Sequence, residues 1–416
     1  MIKIAIVDAY SGAKHYPSIA KRLGVACVHV QSENPIPDCY ADSFDPKNFF
    51  ANVIYDGDAE ALARKLTTLE VKGVIAGIET GVELADQLTN LLGLPGNDPS
   101  LSSARRNKTR MHEVAAQNGV RVPEQISVTD EKAAIEWVKK HQDYPVVVKP
   151  SASAGSDGFR VCRSEEELLQ ALRNVLGQTN KLGKRNDTAI IQELIQGEEF
   201  AVNAVSCDGI HKITHIWHYR KSEKNGYKIY DWESLLDPES SWAQKLRDMT
   251  YATLNAVGIT NGPSHTEIMI DSRGPVLIET AGRIDGISNP ASDEITVGIS
   301  QIELALLAKI NRKHFETRVP DMYTSAKHAV NVAMISNQSG IVESLQVENL
   351  TALRSFAGYR FFVSPGDEIS VTKDIFSSPG FIFLAHDNND ILLEDYREIR
   401  KMETENKIFL LSGGRR

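Results

Sequence analysis

Apolar and polar positions follow two rhythms along this chain, and its first ninety or so residues show both. Residues 2–7 (IKIAIV) are a continuous apolar run, 18–23 carry a helical pattern stopped by Gly24, and 25–30 are a second apolar run. A helix at 58–69, a third strand at 73–78 and an amphipathic helix at 82–92 follow, the last with Val82, Ala85, Leu88 and Leu92 on one stripe. Strands alternating with helices predict an α/β layer with a parallel sheet. Open α/β sheets bind ligands at the turns after their strands, here 8–12 and 79–81. Neither turn contains GxGxxG, so a dinucleotide site is not supported. Glu79 in the second turn reads either as a substrate contact or as the cap of the next helix.

The turn-rich segment 94–99 (LPGNDP) marks a boundary. A helix at 107–118 ends at Gly119 and carries Lys108 in its first turn. A cation there opposes the helix dipole, so Lys108 is better explained facing an anion such as phosphate. A helix at 130–141 is capped by Asp130, and 144–150 (YPVVVKP) reads as a strand ending in Lys149, which either snorkels or meets an anion. Residues 151–158 (SASAGSDG) then supply small side chains whose backbone amides can approach phosphate oxygens. The GxxxxGK[ST] order is absent because the lysine precedes the loop. Ser164 with Glu165, Glu166 and Glu167 opens a further helix with a capping box. Strands at 188–195 and 200–206 flank the turn 196–199 (QGEE), a crossover able to hold a base by backbone groups and a ribose by a carboxylate.

The stretch 262–286 (GPSHTEIMIDSRGPVLIETAGRIDG) predicts two strands around the turn 271–274. Each strand carries one carboxylate among apolar residues, Glu267 and Glu279, which is costly unless a cation meets it. Mg²⁺ suits such a pair, since it takes oxygen ligands from one or two carboxylates and from phosphates. Arg283, four residues beyond Glu279, brings a planar fork suited to phosphate or carboxylate. Elsewhere, 211–219 reads as a strand with His211, His215, Trp217 and Tyr219 on one face, 221–230 as a polar loop, 242–257 as a helix, and 299–309 as an amphipathic helix. From about residue 315 the pattern is α/β or mostly β, with strands at 330–335, 360–363, 368–371 and 381–386 and a helix at 395–403. His386 and Asp387 close the last of these strands.

Composition narrows the classes. The chain has 416 residues, enough for two to four domains, and a net charge of -9, which argues against general nucleic-acid binding. No apolar run reaches the ~18 residues that span a bilayer, and the N-terminal MIKIAIVDAY reads as a strand rather than a signal peptide. Cys27, Cys39, Cys162 and Cys207 have neither CxxC nor zinc-ligand spacing, which fits a reducing compartment. The expectation is a cytoplasmic protein acting on small molecules, with no membrane or nucleic-acid partner.

With Lys108, Lys149, the small-residue loop, QELIQGEE and the two Glu strands in this order, the chain resembles the ATP-grasp enzymes. Within them, HTEI…GPVLIETAGRIDG and GIETGVELADQLTNLLGLPGN are similar to the L-amino acid ligases, bacterial dipeptide synthetases. The resemblance implies an α/β (α+β) ATP-grasp fold. Its parts are a Rossmann-like domain at 1–95, a first lobe with the lid at 96–197, a second lobe with the metal strands at 198–314, and a C-terminal α/β extension at 315–416. It implies ATP and Mg²⁺, with Mn²⁺ as a tolerated substitute, and a homodimer as an assembly common among relatives. Lys108, Lys149 and the loop residues Ser151, Ser153, Gly155, Ser156 and Gly158 would hold the phosphates. Glu193 and the backbone to Ile195 would hold adenine, and Glu199 the ribose. Glu267 and Glu279 would hold the metal, and Arg283 would serve the reacting carboxyl. Many relatives have a third metal ligand, Asn, two residues after the second Glu; here that residue is Ala281. Glu79, His265, Asp285, Gly286, His386 and Asp387 are the candidates for substrate recognition, with Asp285 and Asp387 suited to a basic amino acid. The alternatives are a ligase for a non-amino-acid carboxylate, a carboxylase of the biotin or purine type, and a non-catalytic ATP-binding regulatory module.

Overall fold

The computed structural model describes residues 1–41, 43–141, 144–151, 158–180, 183–224, 227–375 and 377–412. The chain forms two compact units, Met1–Thr214 with Ser241–Ser288 and Gln301–Met322, and His215–Ser240 with Asn289–Ser300 and Tyr323–Arg416. The sequence division at 314/315 gives the tail alone a separate place; the second unit also takes in the two earlier segments.

In the first unit, β1 (Ile2–Val7), β2 (Val25–Gln31), β3 (Ala51–Ile54) and β4 (Val71–Ala76) form a parallel sheet in the order β3-β2-β1-β4. The apolar runs of β1, β2 and β4 are buried because helices cover them: Val28, Val30, Val74 and Ala76 pack with Leu62, Leu66, Ala85 and Leu88. β3 had no counterpart in the sequence pattern, since four residues flanked by polar turns give no period to read. A second sheet holds β5 (Gln125–Val128), β6 (Val146–Pro150), β7 (Arg160–Cys162) and β8 (Ala189–Glu193) in the antiparallel order β5-β8-β6-β7. Val146 and Val148 join Trp137, Leu168 and Leu172 in its core. Strand alternation then sends Lys149 to the opposite face.

A third sheet holds β9 (Glu198–Cys207), the start of β10 (Ile210–Lys224), β12 (Gly262–Asp271) and β13 (Gly274–Ala281), while the rest of β10 and β11 (Tyr227–Leu235) belong to the second unit. Within the first unit the order is β13-β12-β9-β10. Here the sequence expectation of a polar loop at 221–230 is corrected: β10 and β11 form an antiparallel ribbon with Lys221 opposite Tyr230 and Ser222 opposite Ile229. The ribbon shows no apolar stripe because Lys221 lies 4.4 Å from the Tyr230 ring and Tyr219 meets Tyr230 edge-on. Those contacts replace ordinary apolar packing.

The second unit takes β11 together with β14 (His328–Ala333), β15 (Gly340–Leu345), β16 (Phe356–Phe361), β17 (Glu368–Ile369), β18 (Gly380–His386) and β19 (Phe409–Ser412). Its orders are β11-β14-β18-β16 and β17-β15-β19. The helix expected at 395–403 extends over Asn389–Thr404, capped by Asn388. Arg400 on that helix binds Asp231 and Glu403 and fixes it to β11. Among the described residues no helix is long and apolar enough to cross a membrane.

One buried ion pair ties pieces of the first unit together. Arg105 is fully buried, 2.8 Å from Asp86 on the helix Val82–Leu91, and donates to the carbonyls of Val257 and Asp98.

Candidate active site

The hairpin β12–β13 places its two acids face to face. Glu267 pairs with Glu279, Thr266 with Thr280, and His265 with Ala281. Side chains directly opposite in an antiparallel pair share a face, with Cβ atoms about 4.5–5.5 Å apart. On the other face the hydroxyls of Thr266 and Thr280 bond at 2.8 Å. A register shift after Glu267 turns the strand just beyond the acidic pair.

Cations converge on this face. Lys108 Nζ lies 3.0 Å from Glu279 Oε2, and its backbone N–H donates to the Ser151 carbonyl at 3.1 Å. The helix Lys108–Gln117 starts there because Asn107 caps it through the Arg110 N–H. Lys149 is buried; burial, with Lys108 nearby, lowers its ammonium to about 8 although Glu279 and Glu267 oppose the fall. Burial alone would raise the Glu279 carboxyl, but Lys108, Lys149 and Arg283 hold it well below the usual carboxylate range. His112 bonds Gln125 and the Ile278 carbonyl, and burial beside Lys149 lowers it to about 4, so it is neutral.

Arg283 donates from Nε to Glu79 Oε2 at 3.0 Å and from Nη1 to the Ile284 carbonyl. Arg106 Nη1 donates to the other oxygen of Glu79. Burial would raise Glu79, yet the two guanidinium groups keep it below its ordinary value. Glu79 is therefore not a helix cap: the helix Val82–Leu91 begins after Gly81, which offers no side-chain cap. Arg106 escaped the sequence reading; the only available signal was a second arginine two residues before Lys108.

Asp285 is buried, with Oδ2 accepting from Asn203 Nδ2 and Oδ1 from the Ile287 N–H, each at 2.9 Å. Both oxygens thus already accept a hydrogen bond inside the protein. Gly286 accepts from the Ser11 hydroxyl at 3.4 Å. The turn after β1 comes so close that a Cβ on Gly12 would meet the Asp285 carbonyl at 3.0 Å.

The other expected nucleotide residues lie on β8 and β9 and in the loops beside β6, β7 and β8. Glu193 ends β8 and is paired with Arg273 in the β12–β13 turn, while Oε2 accepts from the Glu124 N–H. Arg273 and Arg121 also bind Asp271. Ile195 is buried, and Glu199 lies on β9 opposite Met269. Ser151 bonds Thr188 at 2.9 Å, and Gly158 adopts φ +68, a left-handed conformation glycine tolerates. Ser153, Gly155 and Ser156 lie outside the described residues. His386 and Asp387 belong to the second unit, where His386 pairs with His328 across β14–β18 and accepts from the Asn388 N–H.

The donor set fits a divalent cation. Two carboxylates share one face, and the Lys108 ammonium already stands beside one of them as a positive charge. As the side chains stand, no three His, Cys, Asp or Glu groups among the described residues could hold an ion alone. Phosphate and water would complete the shell, as is usual for Mg²⁺.

The fold and this site define an ATP-grasp ligase, one that joins a carboxylate to an amine and forms ADP. An ATP-grasp domain matches residues 142–291. Dapdiamide A synthase of Enterobacter agglomerans is 33% identical over 97% of this chain and 96% of its own length. An L-amino acid ligase structure from Bacillus licheniformis superposes with a TM-score of 0.77 at 20% identity, covering 96% of this chain and 97% of that one. A phosphoribosylglycinamide synthetase from Anaerococcus prevotii gives a TM-score of 0.70 at 19% identity, covering 99% of this chain and 100% of that one. The chain belongs to the ATP-grasp ligase family that includes dapdiamide A synthase.

Proposed function

We propose that this enzyme joins two unprotected L-amino acids into a dipeptide through an aminoacyl phosphate, releasing ADP and phosphate. The observation that carries the reading is the opposed pair Glu267 and Glu279 with Lys108, Lys149 and Arg283 around it. The likeness to an L-amino acid ligase in fold supports the choice of substrates.

In this reading Lys108 and Lys149 hold the nucleotide phosphates beneath the loop 151–158, with Ser151, Ser153, Gly155, Ser156 and Gly158 as its contacts. Adenine lies along 193–195 and the ribose against Glu199. Since Arg273 already takes the Glu193 carboxylate, backbone groups are its means of meeting the base. Glu267 and Glu279 would hold Mg²⁺, which when bound would neutralise charge on the transferring phosphoryl group.

The substrate carboxylate oxygen attacks the γ-phosphorus and the bond to the β-phosphate oxygen breaks, leaving ADP and an acyl phosphate. The second amino acid's amine then attacks the acyl carbon. A tetrahedral oxyanion forms, phosphate leaves, and the amine proton passes to solvent or phosphate. Arg283, held by Glu79 on one edge, presents its guanidinium to that oxyanion. Exclusion of water from the site would protect the acyl phosphate from hydrolysis. No covalent enzyme intermediate is needed.

With ATP, Mg²⁺ and amino acids singly and in pairs, phosphate release should depend on an amino acid, and mass spectrometry should find a dipeptide. AMP and pyrophosphate as products would reject the mechanism. Nucleotide affinity should also depend on pH. Lys149 is charged below about 8 in the free protein, and phosphate bound beside it raises that value. Between the two values binding takes up a proton, so ADP affinity falls as pH rises through about 8, by up to about tenfold per pH unit. Calorimetry in two buffers of different ionisation enthalpy reads the proton uptake directly. Flat affinity from pH 7 to pH 9 with no uptake would remove Lys149 from the phosphate site.

A further inference from the structure

We propose that Asp8 and Thr80 are positioning residues for Arg283, acting on its guanidinium through Glu79; the inference rests on the ligase reading above. Asp8 directly follows β1 and is 1% exposed. Its backbone has φ 57, in the left-handed region, and Ser11 in the same turn has φ 54. A buried carboxylate costs free energy, and so does a left-handed backbone on a residue other than glycine. Both persist only where the surroundings hold them. Here Oδ1 accepts from the Ser32 N–H at 2.8 Å, and Oδ2 accepts from the hydroxyls of Ser32 and Thr80. Burial raises the Asp8 carboxyl, and these bonds oppose the rise. Ser32 follows β2, and Thr80 lies in the turn after β4. One side chain therefore ties together the turns beyond three adjacent strands of the parallel sheet.

Thr80 carries that tie to Arg283. It is the middle residue of the helical turn Glu79–Gly81. Glu79, just before it, accepts from Arg283 Nε at 3.0 Å and through its other oxygen from Arg106. The turn is pressed onto the end of β1, where a Cβ on Gly81 would meet the Val7 carbonyl at 2.6 Å. Neither Ile78 nor Gly81 has a side chain able to hydrogen-bond, so the Thr80 hydroxyl gives the turn a directional contact.

The turn after β1 also holds the backbone beyond Arg283. Ser11 donates its hydroxyl to the Gly286 carbonyl, and Gly12 lies against the Asp285 carbonyl. One turn thus grips the Arg283 guanidinium and the other grips the backbone that follows it, and Asp8 locks the two turns together. A guanidinium that must meet a developing oxyanion gains from such a frame, because a donor already in place needs no reorganisation during the reaction.

The test measures amino-acid-dependent phosphate release and metal-free ADP binding in full-length Thr80→Val, Thr80→Ser and Asp8→Asn. Thr80→Val keeps the shape and removes the hydroxyl. Its kcat should fall about ten- to a hundredfold, the scale of a small misplacement near the chemistry, with KM for ATP and ADP affinity unchanged. Thr80→Ser restores the hydroxyl and should recover most of the turnover. Asp8→Asn keeps a residue that tolerates the left-handed region but leaves one acceptor oxygen, and should lose turnover in the same way. In a Glu79→Gln background Thr80→Val should cost nothing further, since both changes act along one path. Losses that multiply in the double variant, or an equal loss in Thr80→Ser, would overturn the proposal. So would a fall in kcat matched by falls in ADP affinity and urea midpoint, which would make Thr80 a contact of the fold alone. Full turnover in Thr80→Val beside an active wild type would remove this inference and leave the ligase reading standing. A wild type with no amino-acid-dependent phosphate release would remove both.

Discussion

Glu279→Gln is expected to lower amino-acid-dependent phosphate release by about a thousandfold, the scale seen when a charge-stabilising group is removed from a transition state. The side chain keeps its size, so the hairpin should fold unchanged. What is lost is the negative charge opposite Glu267 and beside Lys108. A carboxamide is a poor partner for Mg²⁺, and the phosphoryl group in flight is then left with unbalanced charge. Binding should behave differently. Lys108, Lys149 and Arg283 all act on Glu279 in the free protein, and without it their charge is uncompensated. ADP affinity in the absence of metal should therefore be retained or tightened. Phosphate release and calorimetry on the same preparation separate the two effects. A variant that keeps wild-type turnover would show that the acid pair has no part in catalysis. One that loses metal-free ADP affinity would show that the cations do not face the nucleotide.

Arg105→Met should be the most damaging single change to stability, about 3–5 kcal/mol, the cost of leaving a buried charge without its partner. Arg105 Nη2 and Nε lie 2.8 and 3.0 Å from Asp86 Oδ2, and the Val257 and Asp98 carbonyls accept from the same guanidinium. Methionine fills part of the space but satisfies none of these acceptors. Ser102 and Asn97 stay beside Asp86 and soften the loss without neutralising the charge. Asp86→Leu in the Arg105→Met background should recover part of it, since replacing both partners removes the stranded charge. The first transition in urea, followed by tryptophan fluorescence, measures both variants. An unchanged midpoint in Arg105→Met would mean that the ion pair contributes nothing net.

Much of the site was legible because its chemistry conflicts with its surroundings. Glu267 and Glu279 stood out as acids in apolar strands, Lys149 as a cation after three valines, and Lys108 as a cation at the wrong end of a helix. Each conflict predicts a partner, and the partners proved to be largely one another. The ribbon at 221–230 was misread for the opposite reason: its cross-strand partners are polar and aromatic, with Lys221 over the Tyr230 ring and Ser222 opposite Ile229, and they leave no apolar period to read. The four-residue strands β3 and β19 fell below the length at which a period shows.

The sequence by itself determined the parallel α/β layer, the two acid-bearing strands and the family, because hydrophobic period, turn residues and misplaced charges are local properties. Tertiary structure alone decided who meets whom. It set Glu267 against Glu279 by register, handed Glu79 to Arg106 and Arg283, and buried Asp285 against Asn203. Those pairings join residues as far as 204 positions apart. Such distant partners carry no spacing signal, since only the packing of strands and helices brings them within hydrogen-bonding reach.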